Sequence, residues 1–84
     1  MANSNYHYFY VVQCKDLSFY AGYTTNLQRR IKMHNDGKGA KYTRARRPVV
    51  LKYFELYETK RQALQREYAF KQLTRTQKIA QMKG

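Results

Sequence analysis

Between Phe9 and His34 the chain places two strand-like runs, a short polar turn and a helix start in unbroken succession, FYVVQCKDLSFYAGYTTNLQRRIKMH. Tyr6 to Cys14 is dense in aromatic and β-branched residues and predicts a first strand. Alternation puts Tyr8, Tyr10 and Val12 on one face and Phe9 and Val11 on the other. Lys15-Asp16-Leu17-Ser18 reads as a hairpin connection. Phe19 to Thr24 predicts a second strand, with Tyr20 and Gly22 on one face and Phe19, Ala21 and Tyr23 on the other. A connection this short forces the two strands antiparallel. Gly22, inside a strand, marks either a bulge or a place where something approaches the backbone closely.

The rest of the chain must be laid on that hairpin. Asn26 is a good N-cap. After it Leu27 and Ile31 are four apart, as are Arg30 and His34, so each pair shares a helical face. Asn35 to Gly39 ends the helix, with Gly37 as the left-handed cap. Ala40 to Pro48 is a basic loop with room for one short helical turn around Lys41. Val49 to Tyr57 predicts a third strand. Thr59 with Gln62 forms a capping box for a helix from Lys60 to about Leu73, whose buried stripe is Ala63, Leu64, Phe70 and Leu73. Thr74 with Gln77 forms a second box, before a last helix from Arg75 to about Met82. The order is β-β-α-β-α-α, an α+β arrangement in which helices cover a small sheet. Where the third strand pairs does not follow from pattern. Met1 to Asn5 is a polar, frayed lead-in. No repeat or linker interrupts residues 1–84, which are read as one domain.

Charge narrows the partners. Lys and Arg number 17 against 5 acids, for a net charge of +12 on 84 residues. Such an excess points to a polyanion, nucleic acid first and an anionic membrane surface second. The membrane is the poorer reading, since no helix sets a long apolar face against its lysines. No apolar run nears the ~20 residues of a membrane span, and the N-terminus lacks the pattern of a secretory signal. The lone Cys14 fits a small core residue in a reducing cytoplasm, and no Cys/His cluster offers a zinc site. The cations concentrate in residues 29–52, where Asp36 is the sole acid. Arg29, Lys38, Lys41, Arg44, Arg46 and Arg47 there are read as backbone phosphate contacts, which position a nucleic acid rather than read its sequence.

Three groups of residues invite chemistry. Glu67 falls in the middle of the third helix's apolar stripe, where a lone carboxylate is costly unless paired or bound to a metal. It is either salt-bridged to one of the cations or a ligand for a hard divalent ion such as Mg²⁺, and the sequence leaves the two even. Arg30 and His34 border the buried side of their helix. Turned inward, the Arg would grip a phosphate and the His relay a proton; turned outward, they are a solvated basic face, which spacing alone favours. Most of the nine tyrosines must be packing. Tyr10 and Tyr20 are candidates for more, because adjacent strands bring both phenols to one face. His7 is given no role.

These residues together resemble the GIY-YIG nuclease superfamily, and in particular its small stand-alone bacterial members, related to the nuclease domain of branched-DNA-cleaving endonucleases. The resemblance runs from about Tyr8 to Lys78. Its name-giving tripeptides fall on Tyr8-Phe9-Tyr10 and Tyr20-Ala21-Gly22, followed by GYTTNLQRRIKMHNDGKGAKYTR and the helix LQREYAFKQLT. The first tripeptide keeps only its tyrosine, and Ala21 stands where a larger aliphatic is usual. Neither change removes a reactive group. A late asparagine of some branches has no counterpart after Glu67. The resemblance implies a three-stranded antiparallel sheet flanked by helices, with the site on one sheet face. By position, Tyr10 and Tyr20 are the motif tyrosines, Arg30 the phosphate-binding arginine, His34 the supporting histidine, Glu67 the ligand of Mg²⁺ or Mn²⁺, and Gly22 the structural glycine beside them. The expected activity is metal-dependent endonuclease cleavage of DNA, branched or single-stranded, in repair or recombination, with the first tyrosine as general base. The rival is a nucleic-acid-binding module without turnover, with RNA left open as a partner.

Overall fold

The computed structural model describes residues 6–83, so the lead-in Met1 to Asn5 lies outside the described residues. The elements are β1 (His7–Gln13), β2 (Phe19–Thr24), α1 (Leu27–Asn35), α2 (Lys41–Arg44), β3 (Val50–Tyr57), α3 (Lys60–Lys71) and α4 (Arg75–Lys83). The helix starts follow the capping chemistry in the chain. Asn26 Oδ1 accepts from the Arg29 amide at 3.1 Å. Thr59 with Gln62 and Thr74 with Gln77 each satisfy two amides reciprocally. Gly37 follows α1 at φ 80°, in the left-handed region.

The sheet order is β2-β1-β3, antiparallel throughout. β1 is therefore central and covered on both faces, which is why it reads as an unbroken apolar run. Phe9, Val11, Ala21 and Phe70 form one core, beneath α3 and α4. Tyr10, Val12, Cys14 and Val49 form the other, with Leu27 and Ile31 of α1 packed on it. The alternation expected for β1 and β2 is the one observed. β1 meets β3 through a bulge between Val11 and Val12, so that Tyr10 faces Gly22 on one side and Phe54 on the other.

Two expectations about α3 are corrected. The helix ends at Lys71, short of Leu73. Leu64 is 41% exposed, while Ala63 and Phe70 are buried. One step along a helix turns the side chain by about 100°, so Leu64 is carried away from the line joining Ala63 and Phe70. Between those two residues the inward positions are polar. Arg66 Nε donates to Glu55 on β3 at 2.9 Å, and Glu55 also accepts from the hydroxyls of Tyr53 and Tyr57, each at 2.5 Å. A second Arg66 nitrogen reaches Gln81 of α4. Burial alone would raise the Glu55 carboxyl pKa, but these donors outweigh it and hold the pKa below the usual carboxylate value. The acid is thus a hub that ties both late helices to the edge strand.

Candidate functional site

The site lies on the sheet face that carries Tyr10. Its first support is the central strand, which buries Tyr10 completely yet points the phenol at α1. The hydroxyl end of the ring lies against Gly22 on the neighbouring strand. A Cβ at Gly22 would come within 2.5 Å of the Tyr10 oxygen, closer than any side chain tolerates. Gly22 therefore leaves space for the phenol, and no bulge falls on it.

α1 presents Arg30 and His34 inward. His34 is fully buried, and its Nε2 lies 2.7 Å from the Tyr10 hydroxyl. Arg30 Nε–H donates to the same oxygen at 3.3 Å. On the far side of the imidazole, Nδ1 lies 2.8 Å from Thr43 Oγ1, and that hydroxyl donates to the Ala40 carbonyl at 3.0 Å. Gly39 is pressed against the same ring, since a Cβ there would fall 2.3 Å from Nδ1. The solvated-face reading of Arg30 and His34 is excluded by this burial. Thr43 and Gly39 escaped the sequence reading. Their only signal was their place in GKGAKYTR, where the cations drew the eye.

Electrostatics follow from the burial. Desolvation, and then the Arg30 charge, push His34 down to about 4, so the imidazole is neutral at pH 7. Burial raises the Tyr10 phenol above its usual value, partly offset by the hydrogen bond and charge of Arg30; Tyr20 and Glu67 push it further up. Glu67 comes from a helix on the other core, and its partner Lys71 Nζ lies 5.5 Å over the Tyr20 ring.

Tyr20 meets the His34 ring edge-on, with centroids 5.6 Å apart. Tyr42 of α2 stacks on Tyr20, and the Arg46 guanidinium lies 3.9 Å over Tyr42. Glu67 is half-buried and its Oε2 is paired with Lys71 Nζ at 2.8 Å. The salt-bridge alternative thus holds for one oxygen, and Oε1 takes no donor among the described residues. No cluster of three or more metal-ligating side chains exists among the described residues. That donor set suits a hard cation held by one carboxylate, waters and substrate oxygens, and is wrong for zinc. Glu67 and a divalent ion of the Mg²⁺ type therefore fit each other.

The basic residues divide into two kinds. Arg29, Lys38, Lys41 and Arg44 are exposed, and Arg29 lines, with Arg30, Tyr23, Asn26 and Met33, a cleft of about 300 Å³. Arg46 and Arg47 brace the loop itself. Arg46 pairs with Asp16 and donates to the Tyr42 carbonyl. Arg47 donates to the carbonyls of Arg44 and Asn35. The sequence shows their charge but not these internal acceptors. No helix among the described residues is long and apolar enough to cross a membrane.

Comparison with known proteins gives the same outline. The family model described as the GIY-YIG catalytic domain matches residues 6–80. A UPF0213 protein of Bacillus velezensis is 65% identical, over 89% of this chain and 76% of its own length. The UPF0213 protein YazA of Bacillus subtilis is 63% identical with the same coverages. Among solution NMR structures, the protein EF2693 of E. faecalis is 50% identical with a TM-score of 0.67, over 99% of this chain and 88% of its own. The UPF0213 protein BH0048 of Bacillus halodurans is 46% identical with a TM-score of 0.62, over 93% and 83%.

Proposed function

The chain belongs to the GIY-YIG catalytic domain family, and from that membership we propose that it is a divalent-metal-dependent endonuclease that hydrolyses phosphodiester bonds in DNA. One observation carries the reading: a buried tyrosine hydroxyl is held between a guanidinium and a neutral imidazole.

Each group then has a task its position suits. Tyr10 takes a proton from the attacking water while its own proton passes to His34 Nε2. The O–H bond of the phenol breaks as the N–H bond of the imidazole forms, and the phenolate is stabilised by the Arg30 Nε–H. The remaining Arg30 nitrogens take no protein acceptor among the described residues, and grip the phosphate as charge builds on its oxygens. A Mg²⁺ or Mn²⁺ ion on Glu67 would polarise the phosphate and stabilise the leaving oxygen. Tyr20, stacked between Tyr42 and the imidazole edge, packs the wall of the site. Arg29, Lys38, Lys41 and Arg44 hold the backbone on either side. Branched or single-stranded DNA, handled in repair or recombination, is the substrate this fold analogy favours.

The test uses purified protein with plasmid, branched DNA, single-stranded DNA and RNA, with Mg²⁺ or Mn²⁺ and again with chelator. Metal-dependent cleavage, lost in Glu67→Ala and Arg30→Ala with binding kept, is expected. Binding without cleavage of any substrate would establish the rival, a non-catalytic nucleic-acid-binding module.

A further inference from the structure

The hydrogen bonds around His34 have a direction, and Thr43 sets it. A carbonyl only accepts, so the single hydroxyl proton of Thr43 goes to Ala40 O, at 3.0 Å. Thr43 Oγ1 must then accept from His34, which places the imidazole proton on Nδ1. The other end of the chain requires the same tautomer. The Tyr10 oxygen already takes the Arg30 Nε–H, and its own proton needs an acceptor within the buried pocket. His34 Nε2, 2.7 Å away, accepts it only if unprotonated. The opposite tautomer would set two lone pairs against each other at Thr43 and leave the Tyr10 proton with no partner. Both His34 and Thr43 are 0% exposed, so water cannot repair either defect.

We propose that Thr43 is a positioning residue that locks His34 in the Nδ1–H tautomer, so that Nε2 stands ready to receive the Tyr10 proton. Thr43 touches neither substrate nor metal; it acts through His34. Gly39 completes the device, because its bare backbone lets the segment leading into α2 lie against Nδ1. The hydroxyl of a neutral residue suits this task better than a carboxylate would. A carboxylate would also raise the ring's affinity for a second proton, and a hydroxyl fixes the tautomer without adding that charge. The tautomer assignment stands on hydrogen bonding alone, and its use in catalysis rests on the endonuclease reading above.

The experiment reads both parts separately. Nitrogen chemical shifts of ¹⁵N-labelled protein at neutral pH are expected to show His34 protonated at Nδ1 and bare at Nε2. In Thr43→Val, which removes the hydroxyl and keeps the shape, that preference is lost. Cleavage of whichever DNA the wild type cuts then falls roughly 10–100-fold, the range seen when the partner orienting a functional imidazole is removed. The loss falls in kcat with KM little changed, since Arg30 and the basic residues are untouched. Thr43→Ser, which restores the hydroxyl, recovers both the shifts and the rate. An Nε2–H signal in the wild type overturns the lock whether or not the protein cuts DNA. So does a folded Thr43→Val with wild-type shifts and wild-type kcat. If Thr43→Val does not fold, the wild-type shifts and the behaviour of Thr43→Ser decide. Correct shifts in a protein that cuts nothing would leave the lock standing and remove the endonuclease reading instead.

Discussion

The Tyr10 hydroxyl and His34 Nε2 lie 2.7 Å apart, fully buried, although 24 positions separate the two residues in the chain. Neither side chain could hold that geometry alone. The central strand fixes one ring, the first helix fixes the other, and glycines on two different segments leave the space that both occupy.

Arg30 should not be replaceable by lysine. Its Nε is engaged by Tyr10, which leaves the other two nitrogens to face a phosphate. Lysine offers one nitrogen and cannot do both. Arg30→Lys is expected to lower kcat at least about tenfold while fold and DNA binding persist, measured by single-turnover cleavage and by a binding titration.

The two site glycines should be intolerant of even one methyl group. A Cβ at Gly39 meets the imidazole and a Cβ at Gly22 meets the phenol, both ring systems packed too tightly to retreat. Gly39→Ala and Gly22→Ala should each cost about 1–3 kcal/mol in urea unfolding, the usual range for overpacking. Activity should fall further than stability, because the displaced groups are the candidate catalytic pair.

Acid should weaken the fold through His34. Its pKa is about 4 in the native state, below the ordinary histidine value of about 6.5 expected when unfolded. Between those values the unfolded chain binds a proton that the native one refuses, so stability must fall as pH drops from about 6.5 to about 4. A shift of this size corresponds to about 3 kcal/mol at most. Urea midpoints at pH 7 and pH 4.5 test the sign, and a midpoint that does not fall would contradict the burial of His34.

Glu55 should act in a lower window. Its folded pKa is depressed, so its contribution is complete above the ordinary carboxylate value of about 4.3 and disappears as pH falls below it. Glu55→Gln at neutral pH removes the charge under Arg66 and two strong acceptor sites. The expected loss is roughly 2–3 kcal/mol, with α4 exchanging its amides faster because Arg66 also carries the contact to Gln81. Hydrogen exchange by mass spectrometry would show whether α4 loosens.

Leu17 offers a gain in stability. It occupies the β1–β2 turn at φ 71° and is 62% exposed, so it carries left-handed strain without compensating burial. Leu17→Asn should stabilise the protein by about 0.5–1 kcal/mol, read as a higher urea midpoint with unchanged cleavage.

Much of the fold was legible because its signals are local. Alternation in β1 and β2 assigned Tyr10, Tyr20 and Gly22 to one face, and the Thr59 and Thr74 boxes marked two helix starts to the residue. What stayed ambiguous was everything that depends on which surfaces meet. For Arg30 and His34 spacing alone favoured solvent, until β1 was found in the middle of the sheet with α1 across it. Glu67 read as either salt-bridged or metal-bound until Lys71, a turn further on, was seen to take one of its oxygens. Glu55 looked like one more alternating strand residue, because nothing near it in the chain announces that Arg66 will lie above it.

The amino-acid order by itself determined the elements, the two faces of β1 and β2, the helix caps and the family, since these rest on a period of two residues, on contacts within a turn and on ordered motifs. Only the tertiary structure decided that β1 is central, which way α1 faces, and that Thr43 and Gly39 close on His34. Those outcomes depend on which distant surfaces exclude water from each other, and no local repeat encodes that.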